Sequence, residues 1–194
     1  MMVVVTGGSG SGKSAYAESL FQEFSGEKIY IATMQVYDEE GKAKVARHRK
    51  LREGKGFLTI ESPENVGELF AEAAFSESKD TLPDENTFPD AKNPQNKKSA
   101  LLECVSNLTA NEMFREDGIV ACKQVADKII EDIQKINSRL DNLVVVTNNV
   151  FEDGITYDST TMDYLKAMGQ INAALAKQAD QVIEVVCGIP VRIK

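Results

Sequence analysis

Histidine occurs once in these 194 residues and cysteine three times, and no apolar run approaches the length of a membrane span. Crossing a bilayer takes roughly 20 consecutive apolar residues, so a membrane-spanning segment is not expected. The opening MMVVVTGG has neither the basic region nor the small-residue cleavage site of a signal peptide. Cys104, Cys122 and Cys187 are spaced too widely and irregularly for a metal motif or a disulfide framework, so reduced thiols in the cytoplasm are the natural expectation. Positive charge is scarce as well. Against 30 acidic residues stand 22 basic ones, a net charge of −8, which argues against nucleic acid as a partner because a phosphate backbone needs a basic footprint. What remains, 42% hydrophobic and 27% charged residues, suits an ordinary globule with one domain over residues 1–194.

Short β-branched runs alternate with longer segments of helical period, the pattern of an α/β fold with a largely parallel central sheet flanked by helices. Strands are expected at Met2–Thr6, Lys28–Thr33, Phe57–Glu61, Ala100–Val105, Leu143–Asn148 and Gln181–Cys187. After the Gly188 turn, Ile189–Lys194 should return as a C-terminal hairpin strand. Val3–Val5 and Val144–Val146 are apolar at every position, as in strands covered on both faces. The clearest helix is Cys122–Leu140, where Val125, Ile129, Ile133, Ile136 and Leu140 form one stripe. Residues 76–99 are rich in Pro, Asp, Asn and Lys and nearly devoid of apolar side chains, which predicts a long mobile loop.

The strongest motif is Gly7-Gly8-Ser9-Gly10-Ser11-Gly12-Lys13-Ser14, which satisfies G-x-x-x-x-G-K-[ST] between an apolar strand and a helix-forming segment. Glycine-rich backbone in that context turns its N–H groups onto one anion, and the helix start adds partial positive charge. Lys13 is then expected on the β- and γ-phosphates, and Ser14 on Mg²⁺. A P-loop nucleotide-binding fold follows; the motif says little about the reaction.

A P-loop also needs a carboxylate near its metal, and Glu103 in ALLECV stands at a strand end where one is commonly found; a rim residue is the other reading. Seven of the 22 basic residues crowd between Lys42 and Lys55, which suits either a solvated helix face or an anion site. His48 sits among them, with Lys44 and Arg52 one helical turn to either side. Neighbouring positive charge lowers an imidazole pKa and keeps the ring neutral and nucleophilic. From the local residues alone, an incidental surface histidine in a basic helix is the favoured reading.

Taken in order, MMVVVTGGSGSGKS, YIATMQ, RHRKLR, LTIE, LLECVSNLTAN, VVVTNNV and the terminal CGIPVRIK resemble the bifunctional adenosylcobinamide kinase/adenosylcobinamide-phosphate guanylyltransferase family from end to end. The resemblance implies phosphorylation of the aminopropanol hydroxyl of adenosylcobinamide by ATP or GTP. GMP is then transferred from GTP to that phosphate, within cobalamin synthesis. It implies His48 as the GMP-carrying nucleophile, with Lys13 assisting at the phosphates. It also implies nucleotide contacts at Thr33, Met34, Gln35, Arg49, Lys50, Leu51, Arg52, Glu61 and Glu103, and a homotrimeric assembly. Two departures accompany it. Where the family reads T-N-E-V-G this chain has Thr147-Asn148-Asn149-Val150-Phe151, without the carboxylate. Where it reads R-x-x-R-D-x-x-G-x-x-N, Met162, Leu165 and Lys166 occupy the charged positions and only Gly169 and Asn172 are kept. A monofunctional P-loop kinase for another small molecule and a nucleotide-binding regulatory protein are the competing readings.

Overall fold

The structure, a computed structural model, describes residues 1–35, 54–70, 97–151 and 154–194. Its centre is a seven-stranded sheet. The strands are β1 (Met2–Thr6), β2 (Glu27–Ala32), β3 (Phe57–Glu61), β4 (Lys98–Glu103), β7 (Asn142–Val146), β8 (Gln181–Val186) and β9 (Ile189–Arg192), in the order β3-β2-β4-β7-β1-β8-β9. All neighbours are parallel except β8 and β9, which form the expected terminal hairpin. A two-stranded ribbon, β5 (Phe114–Arg115) with β6 (Gly118–Ile119), stands apart. Among the described residues the helices are α1 (Lys13–Ser19), α2 (Val105–Met113), α3 (Cys122–Asn137) and α4 (Ser159–Gln178).

The continuously apolar strands are explained by two cores. Val3, Val5, Val144 and Val146 point to the α1 side, where Ala17 and Phe21 cover them. Val4, Leu143 and Val145 point the other way, beneath Leu108 of α2, Ile129 and Ile133 of α3 and Ile171 of α4. A strand whose neighbours are helices on both faces has no wet side, so alternation disappears from its sequence.

The sequence expectations differ from the fold mainly at element ends. Strand β4 begins at Lys98, so Lys98 and Ser99 are sheet and not loop. Polar residues are ordered there by pairing: Lys98 N–H donates to Asp141 Oδ2 at 2.8 Å, and Ser99 Oγ accepts from Asn142 Nδ2 at 3.0 Å. Residues 76–96 of the expected loop lie outside the described residues. At its other end β4 stops at Glu103, and Val105, expected in the strand, opens α2. Helix α3 ends at Asn137, although Leu140 still packs on the core beyond it.

Two ends of α4 are closed by side chains. Asp158 accepts from the N–H groups of Thr160 and Thr161 at 2.9 and 3.1 Å, an N-cap that satisfies donors without intrahelical partners. At the other end the C-terminal Lys194 ammonium donates to the carbonyls of Ala176, Lys177 and Ala179.

The turn after β3 is fastened by charge. Glu112 of α2, 1% exposed, accepts from the Asn65 N–H at 2.8 Å, from Lys128 of α3 at 2.6 Å, and from Arg115. Burial alone would raise its carboxyl, but the hydrogen bonds from Lys128, Asn65 and Arg115 outweigh it and hold the group below the usual carboxylate range. A carboxyl depressed in the folded state stabilises the fold above its unfolded pKa, and that stability is lost as pH falls through the folded value. Glu112→Gln should therefore lower the unfolding free energy by about 2 kcal/mol at neutral pH. In urea titrations the gap to the parent protein should close as the pH drops below the ordinary carboxylate range.

Candidate active site

The carboxyl ends of β1, β2, β3, β4 and β8 converge, and the P-loop rises from the middle of that edge. Gly7 leaves β1 where no side chain fits: a Cβ there would stand 2.6 Å from both Ser11 Oγ and Val185 O. Gly10 and Gly12 take positive φ of 71° and 91°, which turns the chain back into α1. The loop is braced from outside by Asn149 N–H to Gly7 O at 3.1 Å and by Gly188 N–H to Ser11 O at 2.8 Å. Inside it the Ser11 hydroxyl is buried without a hydrogen-bond partner, and a bound oxyanion is the kind of group that would satisfy it.

Lys13 Nζ donates to Gly8 O at 3.1 Å, folding back over the loop. Burial pulls its ammonium below the ordinary value, opposed by the nearby Cys104 and Glu103. Ser14 Oγ donates to Glu103 Oε1, joining residues 89 apart in the chain. The other carboxylate oxygen accepts from the Tyr30 hydroxyl at 2.7 Å. Hydroxyl and carboxylate oxygens at the foot of a phosphate loop are the donors a hard divalent cation such as Mg²⁺ prefers.

Thr33, fully buried, is the pin of this edge. Its N–H donates to Glu103 O at 3.0 Å, its hydroxyl donates to Cys104 O at 2.8 Å, and the Cys104 N–H donates back to that hydroxyl at 2.7 Å. Asn111 of α2 donates to the carbonyls of Thr33 and Pro63 at 2.8 and 2.9 Å, tying the ends of β2 and β3 together. Met34 and Gln35 follow half-buried, and Gln35 Nε2 reaches Glu64 Oε1 at 3.4 Å. Glu61 is exposed at the end of β3, in register with Ala32. The structure thus gathers Lys13, Ser14, Thr33, Met34, Gln35, Glu61 and Glu103 on one edge of the sheet. His48, Arg49, Lys50, Leu51 and Arg52 lie outside the described residues.

Other polar groups at this edge escaped the sequence reading. Ser106 Oγ accepts from Asn148 Nδ2 at 2.5 Å and lies 3.0 Å from Cys104 Sγ. Burial pushes the Cys104 thiol up, which keeps it protonated and a poor nucleophile. Tyr164 of α4 donates to Ser106 O at 3.2 Å, and burial pushes its phenol up to about 12. The two residues retained in α4 have visible packing roles. Asn172 Oδ1 accepts from Thr147 Oγ1 at 2.6 Å, and a Cβ on Gly169 would meet the Phe151 ring at 3.9 Å. The available signal was only the Asn pair after β7 and the single aromatic, Tyr30, within β2.

Comparison with known proteins agrees over the whole chain. The profile of the family described as "Cobinamide kinase / cobinamide phosphate guanyltransferase" matches residues 3–88 and 80–193. The "Bifunctional adenosylcobalamin biosynthesis protein CobU" of Escherichia coli (strain K12) is 31% identical over 203 residues, covering 100% of each chain. The protein of the same name from Salmonella typhimurium (strain LT2) is 29% identical over 203 residues with the same coverage.

Lys13 packs in neither core, so its removal should be read at the phosphates and not in stability. Lys13→Ala is expected to retain its circular dichroism spectrum and melting profile while losing ATP and GTP binding by calorimetry. Unchanged nucleotide affinity would remove the loop from the reaction.

Proposed function

We propose a two-step mechanism for this chain, which belongs to the cobinamide kinase / cobinamide phosphate guanyltransferase family. It is a transferase of adenosylcobalamin biosynthesis, a cobinamide kinase and cobinamide phosphate guanylyltransferase that uses nucleoside triphosphates. The observation that carries the mechanism is the Ser14–Glu103 hydrogen bond beside Lys13. It sets a metal-binding hydroxyl and a carboxylate against the cation that would neutralise the β- and γ-phosphates.

In the first step the aminopropanol hydroxyl of adenosylcobinamide attacks the γ-phosphorus. The Pγ–O bond to the leaving nucleoside diphosphate breaks, and the hydroxyl proton passes to solvent or to a carboxylate at the strand ends. Lys13 and the loop N–H groups hold the phosphates in place, so the gain comes from positioning and charge stabilisation. Ser14, with Glu103 behind it, would hold Mg²⁺, which neutralises phosphate charge when bound.

In the second step the His48 imidazole attacks the α-phosphorus of GTP, and the Pα–O bond breaks with the electron pair leaving on pyrophosphate. An oxygen of cobinamide phosphate then attacks the same phosphorus and displaces the imidazole, giving the GDP-cobinamide product. Splitting the transfer in two is the ordinary gain of nucleophilic catalysis. Arg49, Lys50, Leu51 and Arg52, with Thr33, Met34, Gln35 and Glu61, are the proposed guanine-nucleotide contacts. The support is their match to family positions, together with the placement of the described ones on the same carboxyl edge of the sheet as Glu103.

A homotrimer and a cytoplasmic setting complete the reading. Self-association is supported by β9, an edge strand whose apolar Ile189 and Val191, and Ile193 just beyond it, are 65%, 46% and 62% exposed. The cytoplasm is supported by the three unpaired thiols.

Two measurements test the chemistry. Incubation with α-labelled GTP and no corrinoid should leave acid-labile, alkali-stable label on denatured protein, with pyrophosphate released. His48→Asn should abolish the label yet still bind GTP, and cobinamide phosphate should discharge the wild-type adduct. A wild-type protein that binds GTP but never takes label would reduce the enzyme to a kinase. Glu103→Gln should lower turnover in both half-reactions by about 100-fold while nucleotide affinity changes little. Near-normal turnover across a Mg²⁺ titration would make Glu103 a strand-end residue and nothing more.

A further inference from the structure

A cavity of about 820 Å³ opens beside the P-loop, between α4 and the segments at the ends of β7 and β8. Its floor is the outer run of the loop, Gly8 to Ser11, and its walls include Tyr164 and Leu165 of α4 and Glu184 and Val186 of β8. In the sheet, Glu103 ends β4, two strands to one side of β1, whereas β8 adjoins β1 on the other side. The β8 wall of the cavity and the Ser14–Glu103 pair thus lie to either side of β1, and Asn149 and Val150, which follow β7, close the cavity between them.

We propose that this cavity receives the nucleoside of the phosphoryl donor, so that the triphosphate crosses the P-loop in opposite senses in the two half-reactions. The inference rests on the two-step mechanism above and adds the donor's orientation to it. In phosphoryl transfer the γ-phosphorus must face the Ser14–Glu103 side, where the metal-binding oxygens stand. The α-phosphate and nucleoside must then leave the cradle over Gly8–Ser11, which is where the cavity begins. In GMP transfer the α-phosphorus reacts and pyrophosphate is the part retained in the cradle, so the guanosine lies toward β2 and β3, away from the cavity.

The walls suit a nucleoside better than a phosphate or a corrinoid. Tyr164 is fixed by its hydroxyl bond to Ser106 O, which gives a rigid aromatic wall on which a base can rest. The Glu184 carboxylate makes no side-chain hydrogen bond or ion pair with another described residue, and its two oxygens are acceptors for N–H or O–H groups of base or ribose. A carboxylate there repels phosphates and tolerates the uncharged end of the nucleotide. An acceptor hydroxyl bound in this cavity would approach the wrong end of the triphosphate.

The test uses Leu165→Trp, which puts an indole into the cavity, and Glu184→Ala, which removes the acceptor without adding bulk. In Leu165→Trp the KM for ATP in cobinamide phosphorylation should rise about tenfold or more, with GMP labelling from α-labelled GTP within about twofold of the parent. By calorimetry the same variant should lose affinity for a non-hydrolysable ATP analogue and keep its affinity for inorganic tripolyphosphate, which only the loop holds. Glu184→Ala should shift the same two nucleotide measurements in the same direction, and by less. A raised KM for cobinamide at unchanged KM for ATP overturns the proposal and makes the cavity an acceptor site. It is equally overturned if neither variant shifts ATP binding, or if both variants weaken tripolyphosphate and ATP alike. Failure of the two-step mechanism would show differently, as a wild-type protein without phosphorylation or label, and the calorimetric comparison decides the cavity's occupant even then.

Discussion

The register of β4 between β2 and β7 is the constraint from which the site follows. Glu103 meets Ser14 because β4 ends level with Ala32 on one side and Val146 on the other. A slip of one residue would turn Glu103 to the opposite face of the sheet. Thr33 blocks that slip by closing hydrogen bonds with the backbone of both Glu103 and Cys104. The residue is thus placed to act on the chemistry through the backbone it holds, whatever it touches in a bound nucleotide. The same economy appears at Asn111, whose single amide joins β2, β3 and α2.

A buried charge cluster supports this edge from below. Glu112, Lys128, Asp132 and Arg115 fasten the turn after β3 to α2 and α3, and Asp132 comes so close to Gly67 that a side chain there would stand 2.3 Å from its carboxylate. Such clusters seldom add much net stability over apolar packing, because desolvation consumes the Coulombic gain. What the cluster contributes is location. It fixes the segment leading out of Glu61 against helices that belong to the other half of the chain.

Much of this architecture was legible in the sequence because its signals are local or periodic. The β-branched runs, the stripe of α3 and the glycine pattern of the P-loop each report on residues close together in the chain, and every expected strand is present, with shifts at the ends. The errors fell where tertiary partners decide. Lys98 and Ser99 look like loop until Asp141 and Asn142 are seen beside them, and Val105 looks like strand until α2 begins there. The contacts of Tyr30, Ser106, Asn148 and Tyr164 join residues far apart in sequence, and no periodicity encodes them. The role expected of His48 rests on family resemblance, since its local sequence suits a solvated helix as well as a nucleophile.

A single phosphate cradle suffices for two unlike transfers because of what it recognises. Backbone N–H groups and one ammonium read phosphate oxygens, and the phosphates of ATP and GTP offer them the same surface. Which phosphorus reacts must then be decided by what lies beside the cradle. Ser14 and Glu103 stand toward β4; beside β8 lies a cavity with an aromatic wall and a carboxylate that pairs with no other described side chain. In the proposed scheme such an asymmetry changes the reaction by turning the same ligand around. It also fits the distribution of sequence change in this chain. The cradle and its carboxylate follow the family pattern, while Asn149 and the α4 positions Met162, Leu165 and Lys166 depart from it. Of the departures, which also include Phe151, two line the cavity, Asn149 and Leu165. On the proposal made above, a change of charge there bears on the nucleoside end of the ligand and not on Lys13 and Ser14.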